Sequence, residues 1–251
     1  MLSDPPASSV CEVWYATLAE FRPEFLGLLD PIESARLDRF TRVSDARRCA
    51  LGAVLLRVVA ARHLGGSPAA IAVARRCSTC GESHGKPRVV GGLEVSLAHA
   101  GDLVVVAATT GGPVGVDIES VSLGARRIGL GRSFAPGDEG APYDARAYLV
   151  DWTRREAILK ATGDGLTVSP SDLVLSGPAA PLRLLAWKGR ARPECSLADL
   201  DLPSDYVGAV AVLTSRPSAV RLMAATPLLD DARLSGEIEA LVDIGPLNKE
   251  R

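Results

Sequence analysis

The feature that most constrains the fold is one long helical pattern followed closely by short strand patterns. Residues 45–64 read DARRCALGAVLLRVVAARHL, and their apolar side chains recur on one helical face before Gly65. Ser44 is expected to cap this helix. Strand patterns separated by glycine-containing turns then follow at 93–97, 103–109 and 113–119. Because a helix buries its apolar face against another element, the pattern predicts a small antiparallel sheet packed on the helix.

Two segments precede this helix. Residues 10–19 are rich in β-branched and aromatic side chains and predict a strand. The sequence Asp30-Pro31-Ile32-Glu33 predicts a helix start, with aspartate as N-cap, proline at N1 and a glutamate that reaches back to the cap. We expect that helix to run to about Phe40.

The second half of the chain repeats this scheme, in pattern more than in sequence. Residues 152–166, WTRREAILKATGDGL, predict a helix that stops at its glycines. Short strand patterns follow at 173–175, 182–185 and 206–213. We therefore predict an α+β fold of two pseudo-symmetric halves, each a small, mainly antiparallel sheet packed on a long helix. The expected halves are 1–111 and 112–221, followed by a tail, 222–251, with a short helix near 238–242.

Composition excludes several classes of protein. The 251 residues are 47% hydrophobic and 23% charged, with a formal net charge of −2, as in an ordinary globular protein. This charge predicts neither nucleic-acid nor membrane-surface binding. The first ten residues have no signal-peptide pattern, and the apolar runs are too short to cross a bilayer. We therefore expect a cytoplasmic protein.

The five cysteines are odd in number and irregularly spaced, which favours reduced thiols over a disulfide framework. Cys77 and Cys80 form a C-x-x-C that is followed by His84. Side chains of this kind are three of the four ligands of a structural zinc site, but no second pair completes the set. We favour thiols in a polar loop and leave the metal site open.

Two groups of charged residues suggest chemistry. Asp117 and Glu119 share one face of a predicted strand, where they repel each other unless a cation lies between them. Such hard oxygen ligands suit Mg²⁺, whereas the simpler interpretation is a solvated strand end. Glu156 and Lys160 share one face of a predicted helix, where the simpler interpretation is a surface salt bridge of roughly 0.2–0.5 kcal/mol.

Arginines gather where the first helix ends and the long helix begins. They are Arg36, Arg39, Arg42, Arg47 and Arg48. A solvated face is one interpretation. An anion site, assisted by the unpaired N–H groups of the long helix's first turn, is the other.

A family resemblance connects these observations. The chain has, in order, GKP at 85–87, VSLAHAG at 95–101, GVDIE at 115–119 and WTRREAILKATGDGL at 152–166. With the arginine-bearing helices at 31–57, these motifs resemble the Sfp type of 4′-phosphopantetheinyl transferase over most of residues 10–215. Members of that family move the phosphopantetheine arm of coenzyme A onto a carrier-protein serine and release adenosine 3′,5′-bisphosphate. Their fold has two similar α+β halves with coenzyme A in the cleft between them.

The resemblance implies roles for individual residues. The implied Mg²⁺ ligands are Asp117, Glu119 and Glu156. Lys160 is expected to contact the transferred phosphate, and Glu156 to accept the serine proton through a water molecule. The residues implied at the nucleotide end of coenzyme A are Arg36, Arg48, Lys86, Pro87 and His99.

Three positions depart from the family pattern. Arg155 stands where a lysine is frequent, and its guanidinium can act only as a cation. Ala98 replaces a serine beside the histidine, which removes a possible hydroxyl contact to phosphate. Glu139 matches a family acidic residue only loosely.

The expected function is therefore that of an enzyme that activates apo acyl or peptidyl carrier proteins of fatty-acid, polyketide or nonribosomal peptide synthases. The alternatives are a coenzyme A-binding module without catalysis and a transferase restricted to the carrier of fatty-acid synthesis. The chain length, roughly twice that of the compact trimeric members, argues against the second and favours a monomer. Arg126, Arg127 and Arg132 are candidates for the carrier-binding surface.

Overall fold

The computed structural model describes residues 9–77, 80–124, 144–177 and 180–231. The strands are β1 (Val10–Thr17), β2 (Val73–Ala74), β3 (Arg88–Val89), β4 (Glu94–Ala100), β5 (Leu103–Thr109), β6 (Val114–Ser120), β7 (Leu173–Leu175), β8 (Leu184–Trp187), β9 (Cys195–Asp199), β10 (Tyr206–Leu213) and β11 (Ala219–Ala224). The α-helices are α1 (Pro31–Leu37), α2 (Val43–Leu64), α3 (Ala145–Thr162) and α4 (Thr226–Leu229). Across these ranges, no helix is long and apolar enough to cross a bilayer.

The helix ends follow largely from local sequence. At the start of α1, Asp30 accepts from the Glu33 N–H at 2.8 Å and the Glu33 side chain accepts from the Asp30 N–H at 3.2 Å, which confirms the predicted capping box. This helix ends at Leu37, before the expected Phe40. The long helix α2 ends at Gly65 as predicted. Ser44 is not its cap, because the helix starts at Val43 with Arg42 in the cap position.

Helix α3 is longer than its sequence pattern indicated. It starts at Ala145, where the Asp144 side chain accepts from the N–H groups of Arg146 and Ala147 at 2.9 and 3.2 Å. It ends at Gly163, whose φ of 82° is the left-handed conformation that glycine adopts most readily. The predicted helix stop is therefore confirmed.

The two halves share one topology. The first sheet has the order β11-β1-β5-β4 and the second has the order β6-β10-β9. In the first half, β5 pairs antiparallel with both β1 and β4. In the second half, β10 pairs antiparallel with both β6 and β9 in the same way. A short hairpin, β2–β3 or β7–β8, follows the long helix in each half. The α+β fold and its repeated scheme are therefore present.

Strand β11 crosses the boundary expected between 221 and 222. It pairs in parallel with β1, with Val13 opposite Leu222, so residues 219–224 belong to the first sheet and not to a tail. The sequence did not indicate this because the pairing joins segments about 200 residues apart and no turn fixes their register. The helix expected at 238–242 lies outside the described residues.

The two sheets pack face to face between the two long helices. Alternate residues of β5 point to opposite sides: Val104 and Val106 pack with α2, whereas Leu103 and Val105 pack against the second sheet. Helix α3 covers the other face of the second sheet. The layers are therefore α2, first sheet, second sheet and α3, and β5 is buried throughout.

Candidate active site

One face of β6 places a carboxylate beside helix α3. Val116 and Ile118 point between the sheets, so Gly115, Asp117 and Glu119 face the helix. A Cβ built on Gly115 would lie 2.0 Å from the Ala157 carbonyl oxygen. The absence of a side chain there allows strand and helix to approach closely enough for Asp117 to meet Lys160.

The contact between Asp117 and Lys160 is direct. The Lys160 ammonium donates to Asp117 Oδ1 at 2.6 Å. Asp117 is 8% exposed, and burial raises the pKa of its carboxyl despite the opposing charge of Lys160. Lys160 therefore offsets part of the cost of placing a carboxylate where water barely reaches.

Glu156, one turn before Lys160, adds a second carboxylate at 8% exposure. Burial raises the pKa of Glu156, the charge of Asp117 raises it further, and Lys160 lowers it. Asp117 Oδ2 and Glu156 Oε1 are both buried and have no hydrogen-bond partner within the part of the chain that the structure describes. Such orphaned acceptors are costly unless a cation fills the space beside them.

The donor set fits a hard divalent metal. Mg²⁺ is typically held by one or two carboxylates together with water and substrate phosphates, and the two orphaned oxygens can supply that number. Glu119 lies on the same face of β6 and is half-buried. The oxygens of the three carboxylates do not all lie within 4.8 Å of one another, so the described chain brings Asp117 and Glu156 together without closing a three-ligand set.

Positive charge surrounds His99 on β4, the strand next to β6. Burial lowers the pKa of His99, and the charges of Arg48, Lys160 and Arg36 lower it further. Arg48 also donates to the Gly101 carbonyl at 2.6 Å, which ties the β4–β5 turn to α2. The predicted residues Arg36, Arg48, His99 and Lys160 thus share one electropositive region that favours an anion.

A cavity of about 380 Å³ opens beside His99. Its walls include Arg36 and Glu33 of α1, Cys49 of α2, and Arg75 after β2. Burial lowers the pKa of Arg75, and the charge of Glu33 opposes that shift. The sequence did not indicate a role for Arg75, because the hairpin that brings it to the cavity is a tertiary feature.

Glu33 is held at the cavity by a buried arginine. Arg57, which is 1% exposed, donates to Glu33 Oε2 and to Asp30 Oδ2, both at 2.8 Å. The same guanidinium donates to the Ile71 carbonyl at 2.7 Å. Arg57 therefore joins α1, α2 and the segment before β2, and it fixes the walls of the cavity.

Lys86 connects the two halves. Its ammonium donates to the Ala161 carbonyl in the last turn of α3 at 2.9 Å and lies 3.7 Å from Glu94. Burial lowers the pKa of Lys86, with Glu94 opposing. Pro87 follows it as a half-buried residue before β3. Contacts of Lys86 and Pro87 with a nucleotide stay a prediction.

The family departures are explained by their surroundings. Arg155 points away from Asp117: it donates to Asp151 at 2.6 Å and to the carbonyls of Pro170 and Leu173, so it anchors α3 to β7. Ala98 is buried between the sheets at 4% exposure, on the face of β4 opposite His99. Glu139, Arg126, Arg127 and Arg132 lie outside the described residues.

Comparison with known proteins agrees with the resemblance. Residues 12–111 match the family model described as 4′-phosphopantetheinyl transferase, N-terminal. A Synechocystis sp. protein with a provisional name of the same kind is 28% identical over 215 residues, which cover 79% of this chain and 85% of that protein. The 4′-phosphopantetheinyl transferase HetI of Nostoc sp. is 29% identical over 196 residues, covering 72% of this chain and 76% of HetI.

A third relative supports the same family over a shorter region. A 4′-phosphopantetheinyl transferase of Bacillus pumilus is 32% identical over 142 residues, 53% of this chain and 57% of the relative. The family model covers β4, β5, most of β1 and the residues that line the cavity, and the two longer matches extend beyond it. Their agreement with the ordered motifs leads to one conclusion: over most of its length, the chain is similar to 4′-phosphopantetheinyl transferases.

Proposed function

We propose that this chain is an Sfp-type enzyme that transfers the 4′-phosphopantetheine group of coenzyme A to a serine of apo carrier proteins. The observation that carries the proposal is the pair of orphaned carboxylate oxygens on Asp117 and Glu156, next to Lys160 and the electropositive region around His99. A coenzyme A-binding module would need the cations but not the buried carboxylates.

The proposed arrangement follows the charges. The 3′-phosphate of the nucleotide lies among Arg36, Arg48 and His99, which share one electropositive region. The pyrophosphate extends toward Lys160, whose side chain is 31% exposed and can turn from Asp117 to a phosphate oxygen. Each phosphate thereby meets a cation of this chain.

We propose Mg²⁺ as the metal, held by Asp117 and Glu156, with Glu119 as a further ligand. When bound, the ion neutralises charge on the pyrophosphate during displacement. Lys160 stabilises the negative charge on the phosphate being transferred. These contributions suit a reaction that depends mainly on positioning and electrostatics.

In the reaction, the serine oxygen forms a bond to the β-phosphorus while the bond from that phosphorus to the bridging pyrophosphate oxygen breaks. Adenosine 3′,5′-bisphosphate leaves, and the serine proton passes through a water molecule to Glu156. Burial and the charge of Asp117 raise the pKa of Glu156 in the metal-free chain, and a bound Mg²⁺ would oppose that shift, which favours transfer of the proton through water.

The proposed partners are coenzyme A and apo acyl or peptidyl carrier proteins of fatty-acid, polyketide or nonribosomal peptide synthases. We propose a monomer, because α2 with the first sheet and α3 with the second supply both sides of the site within one chain. The division near residue 111 and the cytoplasmic location also stay proposals, the latter supported by five cysteine thiols.

The test is transfer of a fluorescent coenzyme A to a panel of apo carriers from the three synthase classes, with and without Mg²⁺. We expect Mg²⁺-dependent labelling of the carrier serine, and the panel identifies the preferred class. Glu24→Gln, at an exposed glutamate of the N-terminal half, is the matched control for substitutions at Glu156. Tight coenzyme A binding without labelling of any carrier would favour the binding-module alternative and overturn the proposal.

A further inference from the structure

A second group of metal-ligating side chains lies outside the proposed active site, in the loop between β2 and β3. The thiols of Cys77 and Cys80 and a ring nitrogen of His84 all lie within 4.8 Å of one another. Cys80 Sγ and His84 Nε2 are 2.9 Å apart. In the described ranges, this is the only group of three such ligands with that spacing.

The loop backbone brings these side chains together. The Cys77 N–H donates to the Glu82 carbonyl at 2.8 Å, and the Gly81 N–H donates to the Cys77 carbonyl at 3.0 Å. The Gly85 N–H donates to the Arg75 carbonyl at 2.6 Å and closes the base of the loop. The ligand positions are therefore held by backbone hydrogen bonds.

Apolar packing does not account for the ordered conformation of this loop. Cys77 is half-buried, whereas Cys80, Glu82 and His84 are exposed. Fixing each backbone residue costs conformational entropy, and exposed polar residues recover little of that cost through the hydrophobic effect. A bound metal would supply the missing stabilisation, because binding free energy at such a site is folding free energy.

We propose that Cys77, Cys80 and His84 bind one Zn²⁺ ion, with a water or an outside ligand in the fourth position. Sulfur and imidazole ligands suit zinc, whereas Mg²⁺ prefers oxygen ligands. Each thiol releases its proton on binding, and the two thiolates balance the charge of the ion. The site is thus chemically separate from the carboxylates of Asp117 and Glu156.

The position of the loop beside the cavity indicates what the bound ion would do. Arg75, Gly81 and Ser83 line the 380 Å³ cavity, and Lys86, which reaches α3, follows directly. Zinc would fix the shape of this part of the cavity wall. The consequence for coenzyme A rests on the proposed function: loss of zinc weakens coenzyme A binding more than it lowers the turnover of bound substrate.

The experiment measures zinc in the full chain, purified without a metal-affinity step, by mass spectrometry of the metal content. We expect one zinc per chain, and loss of it in Cys80→Ser and in His84→Gln. Cys195→Ser and His63→Gln change a cysteine and a histidine far from the loop in sequence, and both should keep the ion. Zinc content that is independent of Cys80 and His84 overturns the proposal.

A second measurement does not depend on the folding of the loop variants. The wild-type chain, stripped by a chelator and loaded with Co²⁺, should show a thiolate-to-cobalt charge-transfer band in the near ultraviolet. A spectrum of the reduced, cobalt-loaded chain without that band refutes zinc binding. Asp117→Asn should lose carrier labelling and keep its zinc, so the two proposals fail separately.

Discussion

Replacement of Glu156 by glutamine should stabilise the protein while it abolishes activity. In the metal-free chain, Glu156 Oε1 is a buried acceptor without a partner in the described structure, next to the charge of Asp117. An unsatisfied buried polar group costs about 1–3 kcal/mol. Glutamine removes the charge, keeps the size and can donate its amide N–H to Asp117. Since about 1 kcal/mol shifts Tm by roughly 2–4 °C in a chain of this size, we expect a Tm increase of about 2–12 °C.

The pH dependence identifies the cause. The pKa of Glu156 is raised in the folded state, so its contribution to stability is fully present below the unfolded pKa and is lost as pH rises through the folded pKa. Glutamine does not titrate. The difference in Tm between wild type and Glu156→Gln should therefore be smallest at acidic pH. It should increase as pH rises through the folded-state pKa of Glu156.

The activity should change in the opposite direction. Removal of one preorganised electrostatic group typically costs about 10²–10³ in rate, and here the base is lost as well. Mg²⁺ should raise the Tm of the wild type and have little effect on Glu156→Gln. The assays are calorimetry across pH, with and without Mg²⁺, and carrier labelling. A destabilised variant, a gap independent of pH, or near-normal turnover would refute the reasoning, and Glu24→Gln should change neither quantity.

Three further outcomes are expected. Lys160→Ala should lower kcat by about 10²-fold or more and weaken coenzyme A binding less, as measured by labelling kinetics and calorimetric titration. The reverse pattern would make Lys160 a binding residue, and Lys188→Ala is the control. Gly115→Ala should destabilise the fold by at least about 1–3 kcal/mol, because the new methyl group would lie 2.0 Å from the Ala157 carbonyl oxygen; an unchanged Tm would contradict the close packing of β6 on α3. Coenzyme A should raise the pKa of His99, because a bound phosphate offsets the cations and the burial that lower it, so binding strengthens as pH falls through the histidine range. NMR titration with and without coenzyme A should show the change at His99 and not at His63, which lies beside Glu12; an unchanged pKa of His99 would place the phosphate elsewhere.

Local chemistry made part of the structure predictable. The capping box of α1 and the glycine stops of α2 and α3 depend on hydrogen bonds between residues a few positions apart. The alternation of Asp117 and Glu119 on one strand face, and the spacing of Glu156 and Lys160 on one helix face, are likewise local. The order of the motifs was sufficient to indicate the family before any contact was known.

The site itself depends on contacts between distant segments. Lys160 meets Asp117 across 43 positions, Lys86 meets Ala161 across 75, and β11 returns to β1 across about 200. The periodic spacing of apolar residues does not encode contacts between segments so far apart in the sequence. Nor could the sequence indicate that Arg155, the residue before Glu156, donates to Leu173 of β7 and does not face the site.

The sequence by itself therefore determined the two long helices, most of the longer strands and the kinds of side chain available for chemistry. Only the tertiary structure decided which of those side chains share one volume: Asp117 with Glu156, His99 with its surrounding cations, and Cys77 with Cys80 and His84. The physical reason is the sequence separation of the interacting residues, because helix caps and strand alternation are set by neighbours in the chain. The pairing of two carboxylates, by contrast, requires the packing of α3 on β6.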